Sequence, residues 1–492
     1  MSTFEDAADE TQRRIFSSIS SGIIGTVIVS ALGAVSIRAM TTRLGAAGFG
    51  IFVLVQSYVM VIQTFTDLGL SQVLQRDIAR GDHDEKSLLS HAMGLRVTLS
   101  VLAVPIAVGL GFLIYADRST TLKIGLVVML CSIPFSVSSE VTAAHFSAQT
   151  RNTVLAVINV IQQVVFVGLV ILAVSLHKSV VFCLGAALVG MIVASLITTG
   201  LARREVSFVP SFDRGVWWSM LRTSSPIGLA YVVGLLYFKA DTIILSFLST
   251  SKQIGYYGIA YSIVSVFLAV PIILTRTFLP SMVRASGETI EGSIQSTLTY
   301  FSIGGTFSAA GIMICGPTVV KIVAGSHFGA SNAPLRILGL GLIFICISTA
   351  LSSVCIARGS GNKIFVMSVV SLVLNVALNI VAIPTFGIKG AAIATLICEV
   401  VSLSLFIRLV RREVGVRIRL MHSLARPFAA GFFTCVALAP IYLRSPLNVG
   451  YGLALIPATC VLYVVSLTLL RGLPRELVTS IRSWAVALRR RH

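Results

Sequence analysis

Charge is scarce in this chain. Only 12% of its 492 residues are Asp, Glu, Lys or Arg, about half the ~25% of a soluble globular domain. Acidic residues are rarer still, 19 against 38 basic ones. Cysteine chemistry is absent. The eight cysteines form no CxxC pair, and no Cys/His cluster has metal-ligand spacing. Walker A, GxSxG, HExxH and GxGxxG motifs are all missing. P-loop ATP hydrolysis and the common soluble-enzyme chemistries are thereby set aside, no cofactor is called for, and no enzymatic activity is expected. Long polar stretches are lacking too, so no extramembrane domain is expected between the apolar runs.

What fills the chain is apolar. Hydrophobic residues make up 55% of it, and the mean hydropathy is +0.93. Apolar runs of about 20 residues, each long enough to cross a ~30 Å hydrocarbon core, recur from end to end. They fall near 16–40, 48–70, 90–115, 122–145, 154–176, 180–202, 222–248, 255–280, 296–323, 335–357, 363–384, 387–410, 424–443 and 450–470. The expected fold is an all-α polytopic membrane protein with about 14 transmembrane helices. A barrel would show ~10-residue alternating segments instead. The net charge of +19 needs no nucleic acid to explain it. With the N-terminus inside, 27 of the 38 Lys and Arg fall on inner loops, tails and helix ends. That bias predicts both termini in the cytoplasm.

The chain carries a diluted internal repeat. Phe49-Gly50-Ile51 corresponds to Tyr257-Gly258-Ile259 at an offset of 208, and Arg203-Arg204-Glu205-Val206 to Arg411-Arg412-Glu413-Val414 at the same offset. Each copy holds six spans, so the two run in the same orientation, a plan used by transporters with a site between their halves. The predicted layout is a tail at 1–15, a six-helix bundle at 16–210, an interfacial helix at 211–222, a second bundle at 223–410, an extra helix pair at 411–470 and a basic tail at 471–492. Trp217 and Trp218 beside Arg214 and Arg222 mark the connecting segment as interfacial. Leu477, Ile481, Trp484 and Leu488 form a similar stripe in the tail.

Polar side chains fall in stripes at helical spacing inside the spans. Gln56, Gln63 and Asp67 share one face of the second span, and Asn152, Asn159 and Gln163 one face of the fifth. Ser371, Asn375 and Asn379 align in the eleventh. Such stripes either glue helices together or line a wet cavity, and their number in both halves favours the cavity. Ionisable groups inside a bilayer cost at least ~2.5–3.5 kcal/mol and are functional candidates by default. The cations are Arg38, Arg96, Lys239 and Arg276, and the acids are Asp67, Glu140, Asp241 and Glu399. Snorkelling to an interface remains open for Arg38, Arg96, Arg276 and Asp67, and a helix-locking charge pair for Lys239 and Glu140. Without a nucleotide site, transport needs an ion gradient, the substrate's own gradient or a partner. The acids, Glu140 and Asp241 first, are the candidates for coupling H+ or Na+.

Certain strings resemble a known family. They begin with Arg43-Leu44-Gly45, Gly48-Phe49-Gly50 and Asp67-Leu68-Gly69-Leu70, followed by Arg76 and Arg80. Tyr237 and Asp241 then lead into Gly255-Tyr256-Tyr257-Gly258-Ile259-Ala260-Tyr261 and Pro280. Asn375, Asn379, Pro384, Gly387 and Lys389-Gly390-Ala391-Ala392-Ile393-Ala394-Thr395 complete the pattern. In order and spacing they are similar to polysaccharide-biosynthesis transporters, the Wzx-type flippases of the multidrug/oligosaccharidyl-lipid/polysaccharide exporter superfamily. The resemblance implies two six-helix bundles around a central cavity that opens alternately to each side. It also implies a bacterial cytoplasmic membrane and an undecaprenyl-diphosphate-linked oligosaccharide as substrate, an O-antigen, capsule, lipopolysaccharide or exopolysaccharide unit. Its partners would be the polysaccharide polymerase and chain-length machinery. The diphosphate would need cations, here Arg38, Arg96, Lys239 and Arg276. The sugars would need hydrogen-bonding groups, here Gln56, Gln63, Asn159, Gln163, Asn375 and Asn379. A drug or peptidoglycan-precursor exporter of the same fold is the near alternative, and a membrane glycan polymerase or ligase a more distant one.

Overall fold

The computed structural model describes residues 2–81, 84–284, 289–415, 418–444 and 449–473. Side chains are described from residue 22 onward, apart from those of 23, 227, 289, 442–444, 449 and 451. The predicted stripe at Leu477–Leu488 lies outside the described residues. Among them there is no β-strand; the chain is helix throughout, joined by short turns.

Sixteen α-helices follow one another. They are α1 (Ser2–Asp67), α2 (Leu70–Arg80), α3 (Glu85–Ile114), α4 (Thr120–Leu130), α5 (Ile133–Ala148), α6 (Asn152–Ser175), α7 (Val180–Glu205) and α8 (Arg214–Leu248). After these come α9 (Ser251–Phe267), α10 (Ala269–Arg284), α11 (Thr289–Val323), α12 (Asn332–Ala357), α13 (Gly361–Phe386), α14 (Ile388–Val414), α15 (Leu420–Arg444) and α16 (Val449–Leu469). Thirteen helical stretches among the described residues are long and apolar enough to cross a membrane. The first, Ile24–Asp67, holds two of the predicted segments. Its 44 residues rise about 66 Å at 1.5 Å per residue, twice the hydrocarbon thickness. It is interrupted at Gly45, whose φ of 63° and ψ of −171° belong to glycine alone.

Prolines divide two other predicted spans. Segment 122–145 becomes α4 and α5, with Pro134 in the first turn of α5, where its missing N–H costs nothing. Segment 255–280 becomes α9 and α10, with Pro271 near the start of α10. The connecting segment is not a separate helix. It forms the first turns of α8, capped by Asp213, whose Oδ1 accepts from the N–H groups of Gly215 (2.8 Å) and Val216 (3.3 Å).

The chain divides into two compact units, Met1–Gly255 and Tyr256–His492. In the first, α5 is enclosed by α2, α3 and α7, while α1 packs on α6 and α8. The seventh predicted span thus packs with the first six. Arg118, in the α3–α4 turn, donates to the carbonyls of Ser246 and Ser249 and clips the end of α8 in place. In the second unit α12 is the central helix, flanked by α10, α11 and α14, with α15 and α16 packed on α11. The outward faces are apolar: Leu113, Val381 and Leu469 are each more than 70% exposed. Exposed side chains of that kind suit acyl chains rather than water.

Candidate functional site

The first unit gathers ionisable groups from three helices. α1 ends at Asp67 because Leu68 and Gly69 both take positive φ, 44° and 74°. The carboxylate is therefore held beside the first turn of α2, where Oδ1 accepts from Ser71 Oγ (2.7 Å) and Ser71 N (3.2 Å). A helix N-terminus is a favourable seat for an anion. α3 turns Arg96 inward until it is 0% exposed. α5 presents Glu140, half-buried.

The three meet around the guanidinium. Arg96 Nη2 lies 2.6 Å from Glu140 Oε2 and 3.2 Å from Asp67 Oδ1. Nη1 donates to Ser71 Oγ at 2.9 Å. Gln63, one turn before Asp67, donates from Nε2 to the other Glu140 oxygen at 2.6 Å. Arg96 Nε has no hydrogen-bond partner among the described residues. Two carboxylates share one guanidinium, so the ionised triad carries a net charge of −1. A cavity of about 370 Å³ opens beside it, lined by Gln63, Thr64, Asp67, Ser71, Glu140 and Tyr231 among others. An excess negative charge facing a polar cavity in low dielectric is a place where a proton or a small cation would be held.

Of the residues singled out in the sequence, this cluster joins Gln63, Asp67, Arg96 and Glu140. Arg38, Gln56 and Asn159 are exposed and Gln163 and Lys239 half-buried, all in the first unit and none in the cavity lining. Asp241, in the same unit, is buried. The second unit holds Arg276, exposed, and the buried Asn375, Asn379 and Glu399. Asn379 Nδ2 donates to the carbonyl (2.9 Å) and side-chain oxygen (3.0 Å) of Asn375 one turn earlier. Ser371 and Ser402, 2.8 Å apart, tie α13 to α14 beside them.

The cavity wall also includes Ser71, Gln72 and Gln75, which sequence reasoning missed, and Tyr231. The first three sit in the polar string after Leu70, which reads as an inner loop because Arg76 and Arg80 follow; their amides and hydroxyl were the available signal. A second node also went unread. His145, 1% exposed on α5, places Nδ1 2.5 Å from Glu85 and Nε2 3.1 Å from Glu205, while Arg151 holds Glu205 at 2.6 Å. Four residues thus join the starts of α3 and α6 to the ends of α5 and α7.

Comparison with known proteins now gives the class. A profile of polysaccharide biosynthesis proteins matches residues 15–286, and one of the lipid II flippase MurJ matches residues 307–462. The first covers more than half of the chain, which therefore belongs to the polysaccharide biosynthesis protein family. The chain is similar to the probable low-salt glycan biosynthesis flippase Agl15 of Haloferax volcanii. Identity is 23% over 379 residues, covering 76% of this chain and 78% of the relative. Among solved structures it resembles the lipid II flippase MurJ in an inward closed conformation, with TM-score 0.78, 15% identity, and 93% of this chain and 99% of that one covered. It also resembles an inward-facing multidrug resistance MATE family transporter of the MOP superfamily, with TM-score 0.64, 16% identity, and 80% and 98% covered.

Proposed function

We propose that this protein is a flippase that carries an undecaprenyl-diphosphate-linked oligosaccharide from the inner to the outer leaflet of a bacterial cytoplasmic membrane by alternating access, and that it is not an enzyme. The reading draws on family membership and on the flippase named among its relatives. One structural observation carries the mechanism: a buried Arg96 shared by Asp67 and the half-buried Glu140, with one carboxylate in excess, open to a polar cavity. A lipid-linked glycan moves with its tail in the bilayer while its sugars and diphosphate need polar cover. The cations proposed to meet the diphosphate are Arg38, Lys239 and Arg276. Arg96 is committed to two carboxylates here, and its part is that of their counter-ion. Uptake of H+ or Na+ at Glu140 would neutralise the triad and weaken its hold on Arg96, a change by which an ion gradient can bias one conformation. Asp241 and Glu399 are proposed as further coupling acids. The product would pass to a polymerase and chain-length machinery that builds O-antigen, capsule or exopolysaccharide.

A second reading is flipping of a peptidoglycan-precursor lipid, favoured by the MurJ match over residues 307–462. Proteoliposomes separate the two. The wild type should flip a polyprenyl-diphosphate oligosaccharide faster than a peptidoglycan precursor, and an imposed proton or sodium gradient should raise the rate. Lys239→Ala should lower transport at least tenfold, with Lys239→Arg keeping part of it. Glu140→Gln should keep basal flipping and lose the stimulation. A rate indifferent to both gradients removes the coupling role. Faster flipping of the precursor selects the second reading.

A further inference from the structure

A second cavity, of about 350 Å³, lies in the first unit between α2, the first turns of α3 and the first turns of α8. It is separate from the triad and unused by the mechanism above. Its inner wall is apolar, formed by the buried Leu70, Val73 and Leu74 with Met220 opposite. Arg76, Arg80 and Thr223 also line it, and with them Asp77, so two guanidiniums and one carboxylate face the cavity. Arg76 gives Nε to Asp77 at 2.8 Å, one of a guanidinium's five N–H donors. The volume falls within the range of small-ligand sites.

The walls are built rather than incidental. Ser211 N donates to the Ser90 carbonyl at 2.9 Å, which lays the 206–213 connection against α3. This approach requires Gly94, since a Cβ there would sit 2.0 Å from the Ser211 oxygen. His91 Nδ1 donates to the Ser87 carbonyl at 2.8 Å, and its Nε2 lies 3.3 Å from Ser211 Oγ. Asp213 then caps α8 and fixes the angle at which its first turns cover the cavity.

The cover also sets the depth. Val209, Phe212 and Trp218 are 71%, 68% and 71% exposed, beside the exposed Arg214 and Arg222. Large apolar side chains presented next to arginines mark a segment that lies at the level of lipid headgroups. A pocket at that level, with two guanidiniums against one carboxylate and an apolar wall, matches an amphiphile with a phosphate. Bidentate guanidinium contacts favour phosphate over a neutral headgroup.

We propose that this cavity binds the phosphate of an anionic membrane lipid, with the phosphate against Arg76 and Arg80 and the first methylenes of the chains over Leu74 and Met220. Because α2 begins three residues after Asp67, an occupant there holds the segment that positions the triad. The test uses the full-length protein in detergent, titrated with phosphatidylglycerol, phosphatidylcholine or inorganic phosphate. Phosphatidylglycerol should raise the melting temperature of the wild type by several degrees, as a ligand selective for the folded state must. Arg76→Gln/Arg80→Gln should lose more than half of that rise, and Arg214→Gln/Arg222→Gln should keep it. A photoreactive phosphatidylglycerol should label the wild type within 70–91 or 216–223. An unchanged rise in the Arg76/Arg80 double variant, or labelling confined to other segments, overturns the proposal. So does an equal rise with phosphatidylcholine, which would be general solvation. An equal rise with inorganic phosphate would mean a free-anion site and overturns it too.

Discussion

At the scale of single residues, the buried arginine is the most demanding feature of the molecule. Arg96 is 0% exposed and faces Asp67, Glu140 and Ser71 at once. Removing one partner of a buried ion pair leaves uncompensated charge and costs ~3–5 kcal/mol. Arg96→Gln should therefore lower the melting temperature markedly in a fluorescence-detected thermal scan. Arg96→Lys should rescue little, because one ammonium cannot span acceptors on three helices. Adding Glu140→Gln to Arg96→Gln should be less harmful than the sum of the two single changes; strict additivity would mean that the pair does not interact. His145 offers a second case. Both its ring nitrogens meet carboxylates, and hydrogen bonds to charged groups contribute about 1.5–3 kcal/mol. His145→Gln should lower the melting temperature through loss of the α3–α7 link, and an unchanged value would assign the fold's stability at that end to Arg151–Glu205 alone.

At the scale of elements, the breaks matter as much as the helices. Apolar runs follow one helix at a time, so the spans were readable from spacing alone. The breaks at Gly45 and at Leu68–Gly69 fall at or beside the span boundaries read at 40–48 and 70, but composition carries no φ angle and so does not show that the chain stays helical up to each one. The triad was unreadable as a unit for the same reason. Arg96 reads as a diphosphate ligand and Asp67 and Glu140 as coupling acids, each on its own span, because only packing shows that Arg96 on α3 comes within 3.2 Å of an acid on α1 and another on α5. The segment 70–80 shows the opposite error: its charges read as loop, while amphipathic α2 supplies part of both cavities. Gly45 gives the element-scale prediction. Gly45→Ala forces an L-residue into a region essentially reserved for glycine, at ~1–3 kcal/mol. A melting temperature equal to that of wild type would show that the α1 break tolerates a side chain.

At the scale of the whole molecule, what remains is how the chain is threaded through the bilayer. The first unit places Arg76, Arg80, Arg203, Arg204, Arg214 and Arg222 on α2, the end of α7 and the start of α8. The helical turn after α6, in contrast, carries the single Lys178 beside Phe182. Charge near short loops sets orientation because basic residues resist translocation, so the arginine-bearing end should face the cytoplasm and Lys178 the outside. Both Lys178 and Arg214 are exposed, which makes each a usable labelling position, and replacing Arg214 spares the Asp213 cap. Two native cysteines, Cys131 and Cys460, are exposed and should first be replaced by alanine. In intact cells a membrane-impermeant maleimide should then label Lys178→Cys, and label Arg214→Cys only after the membrane is permeabilised. The reverse pattern would invert the threading and place the mouth of the second cavity on the outer leaflet. Labelling of both positions in intact cells would mean an odd number of crossings between residues 178 and 214 does not exist, and α7 would have to be read as buried without spanning.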